Sequence, residues 1–133
     1  CALEELAVQL ACDRIDKEML KELHASAEHF RDILGSDDIT VIAEADEAFH
    51  DVIFTATGNA RLIQLLNNLR EQMYRYRIEY LKKKECYPQL LEEHATIIRA
   101  IEEHDKDKAT QITGQHINNQ VDTVVDTLRH REE

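Results

Sequence analysis

In the stretch DEAFHDVIF, residues 46–54, an acid and a histidine stand four apart, at Asp46 and His50. Ile42, Phe49 and Ile53 around them recur at helical spacing, so the pair lies on or beside an apolar stripe. Residues at i and i+4 project from one helix face about a turn apart and can reach one ion. His94 occupies a similar setting among Leu90, Ile97, Ile98 and Ile101. His116 falls on a flank of the last helix, level with Ala109, Gln120 and Thr123, and about 100° from a ridge of Ile117, Val121, Val124 and Leu128.

Taken singly, a half-buried histidine is more often a hydrogen-bonded core residue than a ligand, and an Asp/His pair can be a simple ion pair. Three such positions weigh differently. Each unpaired polar burial costs about 1–3 kcal/mol, and one shared metal satisfies all of them together. Imidazole nitrogens with a carboxylate oxygen suit Zn²⁺ first, with Ni²⁺, Mn²⁺ or Fe²⁺ as other candidates. His24, His29, His104 and His130 fall among charged residues or near helix ends and are expected to be solvated.

Six helices are expected to position these groups. The first runs from Cys1 to about Cys12, with Leu3, Leu6, Ala7 and Leu10 on one face. Asp16 caps the second, which Gly35 stops. The third begins after SDD and closes at Gly58, where Asn59 caps a long fourth helix, ARLIQLLNNLREQMYRYRIEYLKKK. Its inward stripe is read as Leu62, Leu65, Leu69, Met73, Tyr76 and Tyr80. Pro88 fits the first turn of the fifth, and Asp105 caps the sixth, which reaches about Arg131. Short connections imply neighbours packed antiparallel in an all-α bundle enclosing a metal and ligand pocket.

Composition agrees with that class. The chain has 133 residues, enough for one domain with a real core, and three Gly, one Pro and no Trp, as in helical proteins. Its 27 acids against 16 bases give a net charge of -11, which argues against this segment gripping nucleic acid or an anionic membrane. Cys1, Cys12 and Cys86 are odd in number and form no CxxC pair, so a reducing cytoplasm is the expected setting. No signal peptide is visible, and no apolar run approaches the ~20 residues of a membrane span. Because CALEELAVQLAC is helical in pattern from its first residue, a domain is expected upstream.

The order DEAFH, TGN, EEH before IIRAIEEHDKDKA, and then GQH resembles the C-terminal effector (FCD) domain of GntR-family bacterial transcription regulators. The opening ALEELAVQLA is similar to that domain's first helix, so the resemblance covers nearly all of residues 1–133. The Asp-x-x-x-His with two spaced histidines carries most of the specificity. The resemblance implies the metal-containing, VanR-like type, in which Asp46, His50, His94 and His116 hold one divalent metal. It also implies an oligomerisation role, a homodimer, a small organic-acid effector, and DNA contact only through an upstream winged-helix domain.

For such an effector, an open metal position offers a place for a carboxylate, and the fourth helix supplies Arg70, Arg75 and Arg77 as cations. With the stripe above turned inward, Arg77 and Arg70 lie on one flank and Arg75 points further away, so Arg77 is the preferred effector residue. Asn119 and Gln120, within a turn of His116, can hydrogen-bond the ligand or the imidazole. The chain is therefore expected not to be an enzyme. A di-iron oxidase would need a second Glu-x-x-His, but Leu91 and Thr113 stand three before His94 and His116. A mononuclear hydrolase would need a base such as Glu47 or Glu93, each one residue from a candidate ligand and turned about 100° from it. A metal-free helical interaction domain is the third alternative.

Overall fold

The computed structural model describes the backbone of residues 2–132 and their side chains except Thr123 and those beyond residue 125. Cys1, Thr123, Leu128 and His130, used in the sequence reading, thus lie outside the described residues or side chains. The described fold is all-α, with helices α1 (Ala2–Arg14), α2 (Lys17–Ile33), α3 (Ile39–Ala56), α4 (Ala60–Asn68), α5 (Arg70–Leu81), α6 (Tyr87–Glu102) and α7 (Lys106–Glu132). A short 3₁₀ turn, Lys84–Cys86, precedes α6.

Local chemistry sets most boundaries. Asp16 caps α2 by accepting from the Met19 N–H at 2.8 Å, and Asn59 caps α4 by accepting from Leu62 N–H at 3.1 Å. Asp105 accepts from the Lys108 N–H at the start of α7. Gly58 ends α3 at φ 61°, a left-handed conformation that glycine adopts without a Cβ penalty. Gly35 adopts no such conformation; α2 ends at Leu34 in a right-handed turn.

The expected long fourth helix is two helices, so the described residues form seven. At Leu69 the ladder tightens, the Leu69 N–H bonding to the Leu66 carbonyl at 3.1 Å. Asn67 and Asn68 favour such a break, since their amides compete for backbone partners. Arg70 fixes it by reaching Glu47 and Asp51 on α3 and the Asn67 amide oxygen.

Helix α3 is central, packing on α1, α2 and α5, while α7 packs on α1, α5 and α6. One apolar cluster joins α1, α3, α4 and α6 through Val8, Phe49, Ile53, Leu62, Leu66 and Ile97. A second joins α2, α3, α5 and α6 through Phe30, Ile42, Tyr80 and Leu90.

Three stripes differ in part from the sequence reading. On α1, Leu3, Ala7 and Leu10 pack on the core as expected, together with Val8, Ala11 and Cys12, but Leu6 faces solvent. On α4 and α5 the buried residues are Leu62, Leu66, Arg77, Tyr80 and Leu81, whereas Leu65 and Tyr76 are exposed. The neighbouring phase wins because Asp46 of α3 draws Arg77 inward. On α7 the inward side carries Ala109, Thr113, His116 and Val124, and Val121 is exposed. His116 is thus on the core face rather than a flank, because its partners on α3 and α6 lie there.

Candidate metal centre

Helix α3 carries Asp46 and His50 one turn apart on the face that also buries Ile42, Phe49 and Ile53. Helix α6 brings His94, and α7 brings His116. One ligand nitrogen from each of His50, His94 and His116 lies within 4.8 Å of the other two. Ring centroids are separated by 5.9 Å for His50 and His94 and by 5.6 Å for the two pairs that include His116. All three rings are buried, His116 and His94 almost completely.

Asp46, fully buried, flanks this triad. Its Oδ1 is 3.0 Å from His94 Nε2 and 3.5 Å from His50 Nε2, and its Oδ2 is 2.7 Å from Arg77 Nε. These contacts lie off hydrogen-bond axes: neither Asp46 oxygen, nor Arg77 Nε, nor His50 Nε2, nor either nitrogen of His94 has a directed partner. Such orphaned groups are rare in protein interiors because each costs the full desolvation of its dipole or charge. A cation among them would satisfy the Asp46 oxygens and the imidazole nitrogens, though not the Arg77 N–H, so the donor set fits a divalent metal with nitrogen and oxygen ligands.

The electrostatics are consistent with a ligand role. Burial raises the Asp46 carboxyl, but His50 and then Arg77 outweigh it and hold the group well below the usual carboxylate range. Burial is the largest influence on His94 and lowers its pKa below 6.5 despite the pull of Asp46, leaving a neutral ring at pH 7. The ring packs between the two apolar clusters, stacked on Phe49 at 4.2 Å and tilted against Phe30 at 5.0 Å. That packing fixes its orientation before any ligand arrives.

Glu93 and Thr113 have a place in this site that the sequence reading did not give them. Glu93 is turned from His94 as expected, but toward His116: its buried Oε2 accepts from His116 Nδ1 at 2.6 Å, and its Oε1 accepts from Asn119 Nδ2 at 3.2 Å. Burial raises its carboxyl, but the His116 bond and charge outweigh it and the pKa is lowered. The signal was available in helical phase, since Ile97 and Ala100 lie four and seven residues on and both are buried. Thr113 is buried with an unpartnered hydroxyl beside His50 and His116. Its polarity gave no hint of burial.

The candidate effector residues separate. Arg77 is buried against Asp46. It also lines a cavity of about 240 Å³ among α1, α5 and α7, with Glu4, Leu69, Met73, Tyr76, Ile117 and Gln120 among the walls. Gln120 Nε2 lies 3.4 Å from His116 Nε2. Arg70 is committed to Glu47 and Asp51 away from that cavity, and Arg75 is exposed, paired with Glu71. Asn119 turns to Glu93 and is not among the cavity walls. Of the other histidines, His24 is exposed and pairs with Glu102, and His29 is exposed. His104 is exposed as well, in a loop with left-handed φ of 55°, and its ring bonds the Cys12 carbonyl.

The described residues form an all-α bundle that brings a histidine triad beside a cavity. The family model for the FCD domain matches residues 1–119, and the chain belongs to that family. It is 26% identical over 133 residues to an uncharacterized HTH-type transcriptional regulator, YdhC, of Bacillus subtilis strain 168. That match covers 98% of this chain and 59% of the relative. The fold is similar to E. coli McbR/YncC, with a TM-score of 0.84 at 16% identity, over 95% of this chain and 64% of that one. The chain therefore spans roughly three fifths of the length of these relatives. Among the described residues, no helix is long and apolar enough to cross a membrane.

Proposed function

We propose that this chain is the ligand-sensing, oligomerising part of a GntR-type transcription regulator that holds one divalent metal and binds a small carboxylate effector. The observation that carries the reading is the convergence of His50, His94 and His116, buried with ligand nitrogens within 4.8 Å of one another, where His50 Nε2 and both nitrogens of His94 have no hydrogen-bond partner. These three histidines and Asp46 would hold the metal, with Zn²⁺ favoured and Ni²⁺, Mn²⁺ or Fe²⁺ also compatible with the donors. When bound, the metal supplies a Lewis-acid anchor for a carboxylate oxygen.

The cavity among α1, α5 and α7 is the proposed entry for that effector. Its Leu69, Met73, Tyr76 and Ile117 suit the ligand's carbon skeleton, and Arg77 and Gln120 offer donors to its carboxylate. With a net charge of -11, this chain is a poor surface for DNA, so DNA contact is assigned to an upstream winged-helix domain of a cytoplasmic homodimer. Both bases considered for the hydrolase alternative are engaged, Glu93 by His116 and Asn119, and Glu47 by Arg70.

Metal analysis and native mass spectrometry on protein purified without chelator or nickel resin test the first half of this reading. Calorimetric titration with a panel of small carboxylates tests the second. At least one should bind the metal-loaded chain, more weakly after chelation and in Arg77→Ala, with Arg75→Ala close to wild type. Equal affinity for stripped and loaded protein would reduce the metal to a structural part, and steady turnover of a ligand would restore the enzyme reading.

A further inference from the structure

We infer that Glu93 is a positioning residue for the metal centre: by binding Nδ1 of His116 from behind, it commits Nε2 of that ring to face His50 and His94. The inference rests on the proposed metal site and concerns a residue one position from a candidate ligand, yet on a different face of α6. His94 points to α3, where its Nε2 lies 3.0 Å from Asp46. Glu93 points to α7, where its Oε2 lies 2.6 Å from His116 Nδ1. A carboxylate at neutral pH only accepts hydrogen bonds, so this contact requires the proton on Nδ1. The neutral imidazole then has its lone pair on Nε2, the nitrogen required for a ligand directed at the triad.

Glu93 is itself held for this task. Asn119 Nδ2, one turn-fraction along α7 from His116, donates to its other oxygen at 3.2 Å, so both carboxylate oxygens are engaged from the same helix. Its side chain is 7% exposed and that of His116 is 1%, so neither can swing into solvent without opening the α6/α7 contact. Between His50, His94 and His116, only His116 has a carboxylate behind the ring; both nitrogens of His94 lack a directed partner, and its plane is fixed by Phe49 and Phe30 instead. Two rings in this centre are therefore oriented by different means, one by stacking and one by a charged acceptor. The charged acceptor also raises the basicity of the imidazole it holds, which strengthens it as a ligand; loss of such an outer partner typically weakens metal binding about 10- to 100-fold.

The test uses the metal-free chain and Co²⁺, whose visible absorption bands report its ligand field. Nitrogen-15 NMR of the stripped wild-type chain should show His116 protonated on Nδ1, and in Glu93→Leu that preference should be lost. Glu93→Gln, nearly isosteric, keeps the fold testable: it should unfold near the wild-type temperature when stripped, yet bind Co²⁺ about 10- to 100-fold more weakly, with shifted absorption bands. Glu92→Gln, on the exposed side of α6, should bind Co²⁺ as wild type does. Wild-type affinity and spectrum in Glu93→Gln, or a proton on Nε2 of His116 in the stripped wild type, would overturn the assignment. A wild-type chain that takes up no Co²⁺ at all would instead remove the metal reading on which it stands.

Discussion

Replacing Arg77 by Met tests whether Asp46 and a bound metal share one electrostatic site. The Asp46 side chain is 0% exposed and that of Arg77 6%, with Nε 2.7 Å from Oδ2. Methionine preserves much of the arginine stem's bulk and deletes the charge, leaving a buried carboxylate without its cation. Removing one partner of a buried pair costs about 3–5 kcal/mol, a large share of the 5–15 kcal/mol that is typical of a domain. The loss should therefore be near that range in the metal-free chain. A dication among the three histidines, beside Asp46, supplies replacement counter-charge, so the loss should shrink when metal is present. By linkage the difference between the two losses equals the gain in metal-binding free energy, each 1.4 kcal/mol corresponding to about tenfold in affinity. Urea unfolding followed by helical circular dichroism, with and without excess Zn²⁺, measures both quantities, provided the slope with denaturant is unchanged. An identical loss in the two states would refute the argument, because it would mean that Asp46 does not sense the metal.

His94→Ala should remove most bound metal and lower the melting temperature, and the same is expected for Asp46, His50 and His116; elemental analysis finding full occupancy in all four alanine variants would end the site assignment. Cys12, at 0% exposure, has its thiol pKa pushed from 9.0 to about 11, chiefly by burial. A group whose folded pKa is raised contributes stability below its unfolded value and loses it as pH climbs, so stability should fall between about pH 9 and 11, by up to about 3 kcal/mol. Cys12→Ala should flatten that slope in pH-dependent urea melts, and an unchanged slope would show that other groups control it. Arg70→Ala should destabilise by about 1 kcal/mol, since the side chain is 43% exposed and only a network of contacts holds it, while Arg75→Ala should change unfolding by less than about 0.5 kcal/mol. Equal effects of the two would contradict the placement of Arg70 at the α4/α5 break.

Helix ends were legible in the sequence wherever a single residue type determines the backbone, as at Asp16, Asn59 and Gly58. The histidine triad was legible as well, because His50 and His94 interrupt apolar spacing that otherwise persists for several turns; His116 reads as a flank residue, and its place on the core face was not legible. What the pattern hid were choices between adjacent helical phases. Swapping Leu65 for Leu66 and Tyr76 for Arg77 leaves the period of α4 and α5 equally good, and hydropathy favours the wrong alternative. Only the tertiary partner decides, and Asp46 is on another helix. The same is true of α7, where Val121 is the more apolar choice and Thr113 and His116 are the buried ones. Glu93 was missed for the converse reason: adjacency to His94 in sequence places it about 100° away, which excludes it from His94's ligand face but points it at His116.

Two side chains connect the centre with the cavity, and they bear on how the proposed effector would be felt. Arg77 touches Asp46 and lines the cavity; Gln120 touches His116 and lines it too. Each belongs to a different wall, Arg77 to α5 and Gln120 to α7, and both walls also pack against each other. An anion that draws on Arg77 competes with Asp46 for one guanidinium and so loosens a tie between α5 and α3. The other tie, Arg70 to Glu47 and Asp51, lies at the α4/α5 break, where the helix ladder is already tightened into a single turn. A change at Arg77 therefore acts on a short helix, α5, tied to α3 by these two arginines and by the packing of Tyr80 and Leu81 with Ile42 and Ala43. A ligand shifts an equilibrium only by its differential affinity for the two states, and on the proposed reading that difference arises where the carboxylate, Asp46 and Arg77 share charge.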